Sequence, residues 1–399
     1  MSETIHNPDQ YMGDLRQILA QGRKRLALFA GAGTPAGILV NEQNTIATDG
    51  SSLIPITSVL TPKVLENLKA KHGEVLSAII KDIGTSPNIE QILSRIRSLA
   101  DAIGESEVHG VNSDGYSTIA SDICQEIGAT VSADLPLNQN PYSELVGWIG
   151  GTERDHAFEI FTPNYDLLFE QAFERSRIPY FDGFCGSCEP FFEPATIANS
   201  DLPSRWARLW KLHGSLGWAE NSLGEIVSGK GKTATKFIYP THLKYDQIQK
   251  MPYSALIERL RQFLRKPDSL LLTCGFSFSD AHLCAVLDEA LAANRSAAIM
   301  AFQYEEISTE VAACSIASRR ANMSVYARDG AVINCIEAPW RPGALPHPAW
   351  APIRTSYWGE HAGSTESCFL LGDFTAFVRY VALTLAEQEQ ITEEAQTES

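Results

Sequence analysis

The sequence lacks any long apolar run. No segment reaches the roughly 18 consecutive apolar residues that a transmembrane helix requires, and the longest uncharged candidate, residues 26–40, is interrupted by three glycines and Pro35. Residues 1–10 are polar and contain no apolar core of the kind found in secretory signals. We therefore expect a cytoplasmic protein without a membrane span.

The sequence also lacks an excess of basic residues. Asp and Glu number 48 against 32 Lys and Arg, which gives a formal net charge of −16 at pH 7. A surface of this charge repels phosphate backbones and anionic membranes. We therefore expect no general nucleic-acid binding by this chain alone and no membrane association.

Cysteine pairs with zinc-binding spacing are scarce. Of the eight cysteines, only Cys185 and Cys188 are separated by two residues, whereas a structural zinc site needs a second pair of ligands. In a cytoplasmic chain the cysteines are expected to be reduced thiols. The sequence therefore predicts neither zinc nor another bound metal.

What the sequence does contain is an ordinary globular composition, with 44% hydrophobic and 20% charged residues in a chain of 399. Apolar strands alternate with helices along it, and this alternation predicts an α/β fold with a mainly parallel sheet. Strands are predicted at residues 26–30, 157–162, 208–213, 236–239, 269–275, 297–302 and 323–326. Helices are predicted at residues 166–175, 254–264 and 374–385, with a further helix after residue 280.

The segment between the first two strands is different, because helical periodicity dominates it. The clearest helix buries one apolar face, made of Ile89, Ile92, Leu93, Ile96 and Leu99. Residues 104–117 are predicted to form a polar loop. We predict an inserted helical subdomain at residues 51–150.

The remaining organisation follows from this insertion. Residues 1–50 begin the α/β domain and residues 151–330 complete it. Residues 331–399 form a C-terminal segment that ends in an acidic tail from Glu387 onward.

Four short motifs follow predicted strands, and in an open α/β sheet ligands bind at the carboxyl ends of the strands. The motifs are Gly31-Ala32-Gly33-Thr34, Asn164-Tyr165-Asp166, His213-Gly214-Ser215 and Gly275-Phe276-Ser277.

Each glycine motif has a functional and a structural interpretation. The small residues at 31–34 let the backbone approach a pyrophosphate and donate N–H groups to it, although glycines after a strand also form tight turns. Gly275 and Ser277 suit contact with a ribose or phosphate, while Ser277 with Asp280 also fits a helix capping box.

The two polar motifs also have both a functional and a structural interpretation. Asn164 supplies an uncharged donor and acceptor at a strand end, and Asp166 fits the N-cap of the helix that follows it. His213 suits a general base near neutral pH, although a histidine at such a position is often structural.

Taken together, the order and spacing of these motifs over residues 26–302 resemble the sirtuin family. The most similar variant is the sirtuin-like NAD hydrolase of bacterial antiphage defence systems. The resemblance implies NAD as substrate on a Rossmann-like sheet. It also implies Asn164 and His213 as catalytic residues with Asp166 as their acidic partner. The implied dinucleotide cradle consists of Gly31, Ala32, Gly33, Thr34, Gly275 and Ser277.

Departures from the deacylating sirtuins favour NAD cleavage. Those enzymes carry four zinc-binding cysteines after the His-Gly motif, whereas Cys185 and Cys188 precede it here, and Pro163 replaces a polar residue before Asn164. We therefore expect hydrolysis of the nicotinamide–ribose bond. A non-catalytic sensor of NAD or ADP-ribose and a protein deacylase are the alternatives.

The resemblance also implies a biological setting. It suggests NAD depletion during antiphage defence by a homo-oligomer that is paired with a HerA-type ATPase. The sequence contains no evident regulatory domain beyond the insertion and the C-terminal segment.

Overall fold

The computed structural model of the chain describes residues 4–84, 86–199, 202–221, 223, 225–228, 251–345, 347, 350–360 and 366–384. Its strands are β1 (Arg25–Ala30), β2 (Leu39–Val40), β3 (Ser51–Ser52), β4 (Glu159–Thr162), β5 (Tyr180–Phe181), β6 (Phe184–Cys185), β7 (Phe191–Phe192), β8 (Ala207–Lys211), β9 (Trp218–Glu220), β10 (Ile226–Ser228), β11 (Ser269–Cys274), β12 (Ala298–Phe302), β13 (Met323–Tyr326), β14 (Gly330–Ile333), β15 (Ile336–Pro339), β16 (Trp358–Glu360) and β17 (Ser367–Phe369).

The helices lie mainly between these strands. They are α1 (Pro8–Gln21), α2 (Gly33–Ala36), α3 (Thr57–Ile83), α4 (Ile89–Ile103), α5 (Ser113–Val131), α6 (Pro141–Gly151), α7 (Leu168–Ser176), α8 (Pro194–Ala198), α9 (Tyr253–Arg265), α10 (Ala281–Ala293), α11 (Val311–Ala317), α12 (Ala351–Tyr357) and α13 (residues 374–384). Within the described ranges, no helix is both long and apolar enough to cross a membrane.

The central sheet has nine described strands in the order β15-β14-β13-β12-β11-β1-β4-β8-β5. The strands from β13 to β5 are parallel to one another, and β14 runs in the opposite direction, antiparallel to both of its neighbours β13 and β15. From β1 the chain forms β4, then the short edge strand β5, then β8 between these two, and finally β11, β12 and β13 on the other side of β1. Without β5 and the β14–β15 hairpin, this order is that of the Rossmann fold, so the predicted Rossmann-like α/β fold is confirmed.

Both faces of the sheet are buried under helices. Alternate residues of β1 show this, because Leu26 and Leu28 pack into the apolar cluster that contains α1, α3 to α7 and α13. Ala27 and Phe29 point the other way, into the cluster formed with α9, α10 and α11. A strand that is apolar on both faces is typical of a parallel sheet covered on both sides.

The chain between β3 and β4 contains four helices, α3 to α6. The predicted stripe of α4 is confirmed, since all five of its residues are buried. Asn88 and Gln91 form a capping box at its start. The predicted loop at residues 104–117 is too long, because α5 begins at Ser113, where the Asn112 side chain accepts a hydrogen bond from the N–H of Gly115. The limits of the subdomain stay a prediction.

Three further segments depart from the predicted pattern or fall outside the structure. A small antiparallel sheet in the order β6-β7-β10-β9 was not predicted. Two of its strands, β6 and β7, precede β8 in the chain, and β9 and β10 follow it. The hairpin of β14 and β15 also extends the sheet beyond the last predicted strand. The predicted strand at residues 236–239 and the acidic tail lie outside the described residues.

Candidate functional site

The four motifs begin at one level across the sheet. Thr162 at the end of β4 pairs with Lys211 at the end of β8, and Ala30 at the end of β1 pairs with Cys274 at the end of β11. Phe29 of β1 pairs with Phe161 of β4. The Ala30–Cys274 pair and the Thr162–Lys211 pair are therefore at the same height along the sheet. The loops that start at residues 31, 163, 212 and 275 therefore leave the same edge of the sheet side by side.

The two glycine loops meet at the point where the strand order reverses, between β1 and β11. Gly33 N–H donates to the carbonyl of Gly275 at 2.8 Å. A Cβ atom on Gly31 would lie 2.2 Å from that carbonyl oxygen, and one on Gly275, at φ +66°, would lie 2.5 Å from the nitrogen of Thr34. The glycines are thus required by the contact between the loops.

The hydrogen bonds of the first loop leave one N–H group for a ligand. Gly31 and Gly33 donate to backbone carbonyls of the β11 end, and Thr34 N–H donates to Gly31. Ala32 is exposed, and among the described residues its N–H has no hydrogen-bond acceptor. The Thr34 hydroxyl is fully buried, donates to the Gly31 carbonyl at 2.8 Å and lies 3.2 Å from the Tyr142 hydroxyl. It holds the loop in place.

Asn164 is joined to the same loop. Its side-chain amide donates to the carbonyl of Gly31 at 3.0 Å, and its backbone N–H donates to the Thr162 hydroxyl at 3.1 Å. The first bond directs Nδ2 toward the loop. Within the described residues, it leaves Oδ1 as the acceptor available to a ligand. The structure therefore brings Asn164 and the predicted cradle together.

His213 lies in the neighbouring loop and contacts a different acid from the one predicted. The histidine is 5% exposed, and its Nε2 lies 3.4 Å from Oδ2 of Asp280. The other oxygen of Asp280 accepts the backbone N–H groups of His282 and Leu283, at the start of α10. Asp280 is therefore the N-cap of α10, and the predicted capping box with Ser277 at its start does not form.

Ser277 remains at the edge of the site. Its side chain is exposed and its hydroxyl lies 2.9 Å from that of Ser279. It follows Gly275 in the loop that packs against the first glycine motif, so its hydroxyl is accessible near the loop crossing.

Asp166 is buried below the Asn164 loop, with 3% of its surface exposed. Its carboxylate accepts the N–H of Leu168 at 3.1 Å, close to the start of α7, and its backbone carbonyl accepts a hydrogen bond from the Lys211 ammonium. Burial raises the pKa of the Asp166 carboxyl, and the charge of Lys211 opposes the rise. These contacts fix the Asn164 loop to the end of β8.

Lys211 belongs to a buried group of charges that the sequence did not reveal. Its side chain is 2% exposed and its Nζ lies 3.3 Å from Oε1 of Glu170. Burial raises the pKa of Glu170 to about 7, although Lys211 opposes this shift. Burial also raises the pKa of Asp182. Buried cations are retained in proteins when they are paired, and this one links the loops that carry Asn164 and His213.

The two residues that sequence reasoning missed, Asp280 and Lys211, gave weak signals. Asp280 already had a sufficient explanation as part of a helix cap. A lysine in the last position of a buried strand is unusual, and this was the only sign of the buried pair.

The structure contains no group of three or more metal-binding side chains in its described ranges. Cys185 is half-buried at the end of β6, and Cys188 is exposed. The absence of zinc stays a prediction.

Part of the chain matches a known family. Residues 159–323 match the family model of the SIR2-like domain. A solved structure described as "Structural Basis for the Mechanism and Regulation of Sir2 Enzymes" aligns with 74% of this chain and 86% of that chain, at 14% identity and a TM-score of 0.31. No curated protein matches the sequence. The matched stretch includes Asn164, Asp166, His213, Gly275 and Ser277, and it supports a sirtuin-like family for this chain.

Proposed function

We propose that this protein hydrolyses NAD at the nicotinamide–ribose bond and releases nicotinamide and ADP-ribose. One observation carries the proposal: Asn164 and His213 each lie two residues beyond the paired ends of β4 and β8, beside the crossing of two glycine loops. Ligands of open α/β sheets bind at such a reversal of strand order. The match to the SIR2-like domain over residues 159–323 supports an NAD-dependent reaction.

The donors at the loop crossing fit a dinucleotide. The N–H of Ala32, an exposed residue, suits a pyrophosphate oxygen, and the Ser277 hydroxyl suits a second phosphate or ribose oxygen. Gly31, Gly33 and Gly275 keep side chains out of this crossing, and Thr34 supports the loop from below. We assign these six residues to NAD binding.

The leaving group determines what the protein has to supply. Nicotinamide in NAD is a cationic pyridinium that departs as a neutral molecule, so its departure needs no general acid, unlike the leaving oxygen of ordinary glycosides. Cleavage of the C–N bond leaves an oxocarbenium-like ribose. Water then adds to the anomeric carbon and loses one proton, which balances the reaction.

Three side chains divide this work in our proposal. Asn164 holds the nicotinamide ribose and the attacking water through Oδ1, because Nδ2 is committed to Gly31. His213 accepts the proton of the water or of a ribose hydroxyl, a role worth about 10²–10⁴-fold in rate. Asp166 orients the reacting groups through the Asn164 loop, which it joins to α7 and Lys211.

The test is release of nicotinamide from NAD by the purified protein, followed by chromatography. Asn164→Ala is expected to abolish release, and His213→Ala to lower it at least about 100-fold, with unchanged circular dichroism and melting temperature. His109→Ala is the matched control, since this histidine pairs with Asp82 in the helical segment. Near wild-type turnover in either site variant would contradict the assignment.

Binding measurements separate hydrolysis from sensing. Calorimetry with NAD and with ADP-ribose should show binding by the Asn164→Ala variant, because the glycine loops are intact. Binding of NAD by the wild type without any release of nicotinamide would contradict hydrolysis and identify a sensor.

We further propose a role in defence against phage through NAD depletion, by a homo-oligomer that works with a HerA-type ATPase. The resemblance of the motif order to bacterial sirtuin-like NAD hydrolases supports this setting. Loss of cellular NAD during infection, in cells that carry the wild type and not Asn164→Ala, is the expected result.

A further inference from the structure

Asp280 divides its two carboxylate oxygens between a helix and a histidine. Oδ1 accepts the N–H groups of His282 at 3.0 Å and Leu283 at 3.1 Å. Oδ2 faces Nε2 of His213 at 3.4 Å. Both side chains are largely buried, with 12% of Asp280 and 6% of His213 exposed, so their charges interact with little screening by water.

We propose that Asp280 is the positioning residue for His213: it orients the imidazole and stabilises the charge that the ring gains when it accepts a proton. The inference rests on the proposed hydrolysis of NAD. The acidic partner of the histidine is then Asp280, which lies in the loop after β11, and not Asp166.

The helix keeps Asp280 in the form that this role needs. Two backbone N–H groups and the positive end of the dipole of a 13-residue helix stabilise a carboxylate at the N-cap. The anion is therefore held at a fixed position before substrate binds. At 3.4 Å the two groups lie at ion-pair distance without hydrogen-bond geometry, and such contacts commonly tighten in the substrate complex.

The contact also shows which side of the ring the carboxylate faces. Oδ2 of Asp280 faces the Nε2 side of the ring, so a proton taken up by the imidazole places its positive charge next to this carboxylate. Asp166 has no comparable contact with the ring among the described residues, because its carboxylate accepts the N–H of Leu168.

Asp280→Asn tests the charge without removing the cap, since asparagine is an equally good N-cap residue. We expect kcat to fall about 10- to 100-fold, the range for loss of an interaction with a charged group, while KM and the melting temperature stay close to wild type. Asp288→Asn is the control, because it removes the same charge from the same helix, where Asp288 pairs with Arg320 at 2.6 Å. It should leave kcat unchanged.

A double-mutant cycle with His213→Gln decides whether the aspartate acts through the histidine. In the His213→Gln background, measured at high enzyme concentration, Asp280→Asn should change the residual rate less than twofold. Wild-type kcat in Asp280→Asn, or a loss that is the same with and without His213, would overturn the inference. Absence of nicotinamide release by the wild type would instead contradict the proposed function itself.

Discussion

Lys211 and Glu170 lie in contact inside the protein, next to the loop that carries Asn164, and form an ion pair when Glu170 is ionised. The Lys211 ammonium also holds the carbonyl of Asp166, so one buried cation joins β8 to the start of α7. Removing one partner of such a pair leaves an uncompensated charge in the interior, which is far more costly than losing an exposed pair. The geometry of the candidate site therefore depends on these charges.

The raised pKa of Glu170 makes stability depend on pH. Its value of about 7 lies above the ordinary 4.5 because of burial, so the folded protein holds this proton at pH values where the unfolded chain has released it. Stability from this group is complete below pH 4.5 and is lost as pH rises toward 7, by up to about 3 kcal/mol. In Glu170→Gln the free energy of unfolding in urea should vary less between pH 5 and 7.

The control for this measurement is Glu66→Gln, because that carboxylate is 72% exposed in its pair with Lys69. It should keep the wild-type dependence on pH. An unchanged slope in Glu170→Gln would show that Glu170 is not the group responsible.

The residues of the candidate site differ in how well the sequence predicted them. Asn164 and His213 could be identified because polar residues at the ends of apolar strands are visible in the pattern. Asp280 is 67 positions from His213 and already had a local explanation as a helix cap. Only the register of β1, β4, β8 and β11 brings these distant residues to one edge of the sheet.

At the scale of elements, prediction succeeded where the apolar pattern is long and continuous. The strand predicted at residues 269–275 is β11, and the helix predicted after residue 280 is α10, which buries Leu283, Val286, Leu287 and Leu291. The small sheet of β6, β7, β9 and β10 was missed because its strands have only two or three residues, too few for any periodicity.

The hairpin of β14 and β15 was missed for a different reason. Its two-residue turn, Asn334-Cys335, has φ angles of +51° and +64°, as in the type I′ turns that join short hairpins. The usual signal is Asn-Gly, and here a cysteine occupies the glycine position.

This turn allows a stabilising substitution. Cys335→Gly should raise the free energy of unfolding by about 0.5–1 kcal/mol, because glycine adopts a positive φ without the steric cost of a Cβ. Cys188→Gly is the control, since Cys188 is exposed but has no positive φ, and it should be neutral or destabilising. Thermal unfolding under reducing conditions measures both, and a lower melting temperature for Cys335→Gly would contradict the turn assignment.

At the scale of the whole molecule, the central question is how the proposed cleavage of NAD is controlled. The helical segment of α3 to α6 lies beside the site, since Tyr142 of α6 contacts Thr34. We expect that assembly of the protein changes the conformation of the glycine loop through this segment. A partner or a second copy that binds the active state about 2.7 kcal/mol more tightly would shift activity roughly a hundredfold.

Assembly of chains with a net charge of −16 is opposed by their mutual repulsion. If assembly activates the protein, the rate of NAD cleavage per chain rises with protein concentration. It rises further when salt screens the repulsion between chains and so favours assembly. Light scattering on the same samples gives the oligomeric state. Equal rates per chain for dilute monomer and for the assembled form would contradict control by assembly.

The measurement that bears most directly on NAD hydrolysis is chromatography of NAD incubated with the purified protein, alone and at concentrations where it assembles. We predict that nicotinamide and ADP-ribose appear in equal amounts and that both disappear with Asn164→Ala. Intact NAD after incubation with the assembled wild type, or equal product from Asn164→Ala, would contradict the proposed function.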